Sequence, residues 1–377
     1  MKKEWASIWI SAIMIIVLWI IPTGFENASQ DRAGDRVAAR VLSVNNDLII
    51  NTGLIRAGEQ DCRVEIMQGK FRGQEFDGVN MLNGSLEQDK IFEPGDLALV
   101  LLSVKEDQVL SVSMIDHYRL HLELLLLLAF FALIVLFAGL MGARAIMAFI
   151  LAILMIWKGL VPLFLKGMNP ILVAAVFTLI LAMLVISLVY GFNRRWLAAV
   201  TGVSIGVIIM CLVGIWAVQS LKIHGAVMAY SESLLYSGYQ YLNLTEIFIA
   251  SIFIGASGAV IDLAVDITSA VFEVAEKRPD LSWRELMKSG AQVGQAAMST
   301  ATTTLLLAYS GGFIALLMVF MAQGTPIINI LNYKYVAAEL IHTLVGSFGL
   351  VAVAPLTSLT AGLFLAHPVS EPSVSEQ

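Results

Sequence analysis

Hydrophobic and polar positions change rhythm twice along the chain. Trp5 to Ile21 is a nearly unbroken apolar run that ends at Pro22. From 26 to 117 apolar residues recur at every second position. RVAARVL (36–42), DLIINT (47–52), CRVEIM (62–67), DLALVLLS (96–103) and QVLSVS (108–113) predict short strands. Gly-rich turns separate them, and Pro94-Gly95-Asp96 is a strong turn signal. Such a series of strands predicts a small β-barrel, OB-like or SH3-like. After Tyr118 long apolar runs return and continue to Ala366. They predict helices near 120–138, 143–161, 170–190, 197–218, 245–273, 295–322 and 336–365. With the first run this makes eight helices. A bilayer needs about 20 residues per crossing, so the last three tilt or project into water.

Composition agrees with this pattern. The 377 residues are 58% hydrophobic and only 14% charged, with a mean hydropathy of +0.81. A soluble protein of this size carries about a quarter charged residues, so the chain reads as a mostly α, multi-pass membrane protein. Its expected parts are an N-terminal transmembrane helix (1–25), an extracytoplasmic β-rich domain (26–117), a seven-helix membrane domain (118–366) and a disordered cytoplasmic tail (367–377). Lys2 and Lys3 ahead of an apolar core also fit a cleaved signal peptide. No small-x-small site follows closely, and Trp9 and Trp19 suit interfacial anchors, so an uncleaved helix is expected.

Charge placement sets the orientation. An inside N-terminus puts Lys2, Lys3, Arg144, Arg194, Arg195, Lys277, Arg278, Arg284 and Lys288 on the cytoplasmic side. Lys158, Lys166, Lys222 and Lys334 then fall outside. This is the positive-inside bias, and an even helix count returns the C-terminus to the cytoplasm. No basic cluster with interleaved aromatics supports nucleic-acid binding. Cys62 and Cys211 lie in different kinds of sequence and are not expected to pair. No metal-ligand spacing and no phosphate-binding GxxxxGK[ST] occurs, so no metal or cofactor is expected.

The chemistry concentrates in GASGAVIDLAVDITSAVFE (255–273). Asp262 and Asp266 are four apart and share one helical face with Gly255, Gly258 or Ala259, Ser269 and Glu273. A carboxylate within a membrane span is by default a functional candidate. The link 276–290 carries a cap signal, Ser282 with Glu285 three later, and predicts a well-capped loop or a short amphipathic helix at the membrane surface. Beyond it Gln295, Ser299, Thr300, Thr303 and Thr304 form a polar stripe. Their hydroxyls are expected to hydrogen-bond Asp262 or Asp266; the alternative is that they bond carbonyls of their own helix. In the last helix Glu339 and His342 share a face and offer a second stage of a proton or cation relay; Glu339 equally suits interfacial water. Gly255, Gly258, Gly290, Gly294, Gly346 and Gly349 are candidate positions of close helix packing. Arg194-Arg195 reads as an orientation signal rather than a ligand site.

At GASGAVIDLAVDITSAVFEV, LSWRELMKSGAQVGQAAMSTATTTLLLAYSGG and AELIHTLVGSFGLVAVAP the chain resembles the YibE/F family of bacterial multi-pass membrane proteins. The resemblance covers 120–365 and brings with it no substrate and no assigned residues. A weaker likeness is to one half of an RND-type permease, through Gly258, Asp262 and Asp266, Arg284-Glu285-Leu286 and Ala301 to Thr304. It implies proton-relay roles for the two aspartates. RND extracytoplasmic domains are much larger, however, the helix count differs, and a second half is missing.

Two functions follow as expectations. One is an ion- or proton-coupled transporter for an unknown small solute or ion. The other is a non-transporting scaffold or receptor whose β domain binds a partner. An enzyme is not expected, because an intramembrane aspartyl protease needs its two Asp on different helices. The lipid bilayer is the expected surrounding partner, and the Gly-rich faces leave room for a homodimer.

Overall fold

The computed structural model describes residues 2–26, 34–106 and 108–366. The tail predicted as disordered lies outside them. The chain forms two compact units, one of Met1–Gly24 with Ala138–Gln377 and one of Phe25–Phe137.

The chain starts with α1 (Lys2–Ile20) and continues into six strands: β1 (Gly34–Asn45), β2 (Ile49–Asn51), β3 (Arg56–Ile66), β4 (Glu75–Asn83), β5 (Leu97–Lys105) and β6 (Gln108–His117). The alternation seen in sequence is realised. Cys62, Val64 and Ile66 point inward while Asp61 and Arg63 are exposed. β1 is long enough to serve two neighbours. Its first part pairs β5 from Gly34↔Ser103, and its second part pairs β3 to Asn45↔Asp61, with a bulge between Val41 and Ser43. The ring closes as β1-β5-β6-β4-β3-β1, and β2 is appended to β3. The β4–β6 contact is parallel, Gly78↔Val112 and Val79↔Ser113; the other pairings are antiparallel. Leaving out β2, the five barrel strands run 1-2-3-5-4 around the ring, the Greek-key order of an OB-type barrel. Of the two expected barrel types, this is the one found.

Ala39, Val41, Val64, Ile66, Phe92, Val100 and Leu102 fill the barrel. Two fully buried amides sit among them. Gln60 Nε2 donates to Asn46 Oδ1 and to the Phe92 carbonyl, both at 2.9 Å. Gln60 Oε1 accepts from the Phe92 N–H at 3.0 Å and from Asn80 Nδ2 at 3.1 Å. Asn80 Nδ2 also donates to the Lys90 carbonyl. A buried amide is tolerated only when it is hydrogen-bonded, and these two tie the 84–96 segment to the barrel wall.

The helices are α2 (Leu120–Leu154), α3 (Val161–Leu165), α4 (Pro170–Tyr190), α5 (Arg194–Ser220), α6 (Ser231–Tyr236), α7 (Leu244–Lys277), α8 (Trp283–Ser310), α9 (Ile314–Ala322), α10 (Ile327–Asn332) and α11 (Lys334–Leu365). A π-helical turn, Met155–Leu160, joins α2 to α3. Six helical runs among the described residues are long and apolar enough to cross a membrane: Leu120–Leu165, Pro170–Tyr190, Arg194–Ser220, Leu244–Lys277, Trp283–Ala322 and Lys334–Leu365. Two expectations change here. The helices predicted at 120–138 and 143–161 belong to one run, broken at Gly139, whose φ of 56° and ψ of −130° are non-helical. The amphipathic segment after 282 is not a separate helix but the first turns of α8. The capping box that starts it is present: Glu285 N–H donates to Ser282 Oγ, and the Ser282 N–H donates to Glu285 Oε2 at 2.8 Å.

In the larger unit α11 is the central post, packed on α5, α7 and α8, while α7 also packs on α4 and α5. Small residues make this possible. A Cβ on Gly290 would lie 2.7 Å from Val271, and one on Gly294 would lie 3.0 Å from Ile267 and 3.2 Å from Ala354. α8 is thereby seated against both α7 and α11. Gly346 and Gly349 of α11 face Ala256 and Met210. α1 packs Met14, Ile15 and Leu18 against Leu151, Met155 and Leu184.

Candidate functional site

α7 starts behind an Asn243 cap and runs without interruption to Lys277. Its buried faces are aliphatic, from Phe248 to Ala275. Its remaining face is the one read from sequence. Gly255, Gly258, Asp262, Asp266, Ser269 and Glu273 are all exposed on the surface of the single chain. Neither aspartate hydrogen-bonds or ion-pairs with a described residue, and the charge of Asp266 acts on Asp262. Gly258 has nothing within 4 Å of a Cβ position, so open space rather than a packed helix lies above it.

The contacts of α7 with α8 fix the register of the polar stripe on α8. Gly290 meets Val271 and Gly294 meets Ile267. Each step down one helix is a step up its antiparallel neighbour, which sets Asp266 level with Gln295 and Asp262 level with Ser299. Tyr309 marks the shared flank, because its hydroxyl would stand 2.6 Å from a Cβ on Gly255. At 3.6 residues per turn Gln295 lies about 40° and Ser299 about 80° around α8 from Tyr309. Both therefore border the flank that carries the aspartates. Thr300 and Thr304 turn about 140–180° away from it, and Thr303 points between. The hydroxyls of Thr300, Thr303 and Thr304 donate to Ala297, Ser299 and Thr300 carbonyls of their own helix. The hydrogen bonds expected from these threonines to the aspartates are therefore not formed, because a carbonyl of the same helix lies nearer.

The end of the stripe nearer Lys277 is held by residues that sequence reasoning passed over. Tyr190, the last residue of α4, places its hydroxyl 2.6 Å from both the Val265 carbonyl and Ser269 Oγ. Arg195, half-buried at the start of α5, stacks its guanidinium 3.7 Å from the centre of the Phe272 ring. Its charge and that of Asp266 both act on the Tyr190 hydroxyl. Arg195 thus adjoins the stripe as well as carrying an orientation charge.

The opposite end of α7 meets Glu339 and His342. His342 stacks on Phe248 with ring centres 4.9 Å apart and interplanar angle 14°. Its Nε2 is 3.3 Å from Ser251 Oγ. Tyr309 approaches the same imidazole at 5.5 Å, and the Glu339 carboxylate acts on the Tyr309 hydroxyl. Glu339 Oε1 and Tyr309 Oη are both buried without a hydrogen-bond partner among the described residues. The structure therefore brings Glu339 and His342 together with Ser251 and Tyr309. It separates them from Asp262 by the eleven positions from Ser251 to Asp262, about 16 Å along the helix. Ser251, Gly255, Gly258, Asp262, Asp266 and Ser269 share one face of α7, which runs from one cluster to the other. The signal for Ser251 and Tyr309 was there to find: each is a hydroxyl at helical spacing from a residue already singled out.

Among the described residues, no group of three or more His, Cys, Asp or Glu side chains is placed to hold a metal ion. A family model described as YibE/F-like protein matches residues 126–367. Comparison with curated proteins and with solved structures gives no match.

Proposed function

The chain belongs to the YibE/F family, and we propose that it is a proton- or cation-coupled transporter of a bacterial plasma membrane. Both termini are then cytoplasmic and the barrel is extracytoplasmic. This topology takes eight crossings, with α1 as one and the Leu120–Leu165 run divided at Gly139 into two. The observation that carries the reading is the unpartnered Asp262–Asp266 pair on a continuous small and polar face of α7. Two bare carboxylates in hydrocarbon are costly, and such groups face a bundle interior or water. The open space at Gly258 and the amide and hydroxyl of Gln295 and Ser299 support a hydrated seam along α7 and α8. Within it the two carboxylates, one turn apart, exchange a proton or hold a cation. The cargo coupled to that ion is a small solute or ion.

Infrared difference spectroscopy of the purified protein across the accessible pH range tests this, with Asp262→Asn and Asp266→Asn as comparisons. A carboxyl band that titrates near neutral pH and disappears in one variant supports the relay. If both carboxylates keep one protonation state throughout, and a Gly258→Cys thiol stays closed to a water-soluble maleimide, the reading fails.

A further inference from the structure

We propose that a water molecule bridges Tyr309 Oη and Glu339 Oε1, so that Tyr309 joins the Glu339–His342 cluster to the α7 stripe. Each of the two atoms is buried and without a partner among the described residues. Native interiors rarely leave such groups bare, and a buried water with two to four polar neighbours is the usual remedy. Here the two orphans belong to one neighbourhood. Glu339 acts electrostatically on the Tyr309 hydroxyl. Glu339 and His342 are three apart on α11 and share a face, and the Tyr309 ring lies 5.5 Å from the His342 ring. One water can accept from the Tyr309 hydroxyl and donate to the carboxylate. His342 Nε2 and Ser251 Oγ, 3.3 Å apart beside it, supply further polar company.

The geometry also explains Gly255. A Cβ there would stand 2.6 Å from Tyr309 Oη, so any larger residue pushes the hydroxyl away. Tyr309 is a positioning residue on this view: it holds the water and closes the upper end of the stripe. The inference deepens the transport reading in assigning Tyr309 a place on the path, yet the water itself stands on the orphaned atoms alone.

The test combines stability with isotope-edited infrared spectra of the full chain. A bridging water gives an O–H stretching band that shifts in H2(18)O. That band is lost in both Tyr309→Phe and Glu339→Leu, and kept in Tyr190→Phe. Tyr309→Phe also lowers Tm, because it strips a partner from a bound water. A dry site gives the opposite result, since removing an unsatisfied hydroxyl leaves Tm unchanged or higher, and that outcome overturns the proposal. So does a band that is present in both variants, or one that disappears when sodium replaces a large organic cation, which would mean a metal cation in place of water. None of these readouts depends on whether Asp262 or Asp266 titrates, so the two ideas fail separately.

Discussion

The Tyr190 hydroxyl and Ser269 Oγ stand 2.6 Å apart, and the same phenol reaches the Val265 carbonyl. Since Tyr190 donates to the carbonyl, Ser269 donates to Tyr190. The end of α4 is thereby fastened to α7 one turn beyond Asp266. Tyr190→Phe removes both bonds while keeping the ring against Arg195. Each lost bond is expected to cost about 0.5–1.5 kcal/mol, read as a lower Tm in detergent. Ser269→Ala should lose less, because the bond to Val265 survives. Equal losses in the two variants would contradict this ranking.

Gln60 is the hub of the buried amide pair in the barrel. Gln60→Leu leaves the Phe92 N–H and one Asn80 N–H without an acceptor inside the wall. Each stranded donor costs about 1–3 kcal/mol. Hydrogen exchange of the full-length protein should show the Phe92 amide exchanging much faster in the variant, with α7 amides unchanged. Retained protection at Phe92 would show that the 84–96 segment is held by other means.

Cys62 supplies a reporter of barrel integrity. Burial, and secondarily the charge of Asp61, push its thiol up to about 11. The thiolate is the reactive form, so the folded protein should resist alkylation at Cys62 up to about that pH. Unfolding returns the thiol to its ordinary range and makes it reactive at mildly alkaline pH. Mass spectrometry after a short iodoacetamide pulse, with and without denaturant, reads the difference. Rapid labelling of the folded barrel at mildly alkaline pH would refute it.

The link ahead of α8 is a pH-sensitive splint. Arg278 holds Asp280 with two hydrogen bonds, of 2.8 and 2.7 Å, and keeps its carboxyl down at about 2. A depressed carboxyl contributes to folding above its unfolded value, and that contribution disappears as pH falls through about 2. Arg278→Ala should return the Asp280 titration, followed by carboxyl-edited NMR, to the ordinary range near 4. Ser282→Ala removes the neighbouring cap at about 1 kcal/mol, visible as fraying of the first turn of α8.

The parts of this molecule that follow from periodicity were legible in its sequence. The four-residue spacing of Asp262 and Asp266 placed them on one face of α7, and the period-two runs became barrel strands. What escaped were features set by a partner distant in sequence. EQDCRV reads as polar-apolar alternation, and nothing local marks Gln60 as an inward residue paired with Asn80 and Phe92. The hydroxyls of α8 were equally able to serve a carboxylate or a carbonyl, and the near carbonyl won on distance. Tyr190, Arg195 and Tyr309 close the ends of the α7 stripe from three other helices, a relation only packing can create. The break at Gly139 was visible as glycine, but its effect of folding two predicted helices into one interrupted run was not.

The barrel's parallel seam has a consequence for synthesis. Residues 78–79 of β4 wait for residues 112–113 of β6, the last strand of the barrel to leave the ribosome. Until they arrive β4 has a bare edge, and the ring is an open sheet able to pair with other chains. The next segment made is the apolar start of α2. Closure of the barrel and release of the helix behind it are therefore neighbouring events in time, and a delay in one leaves the other exposed.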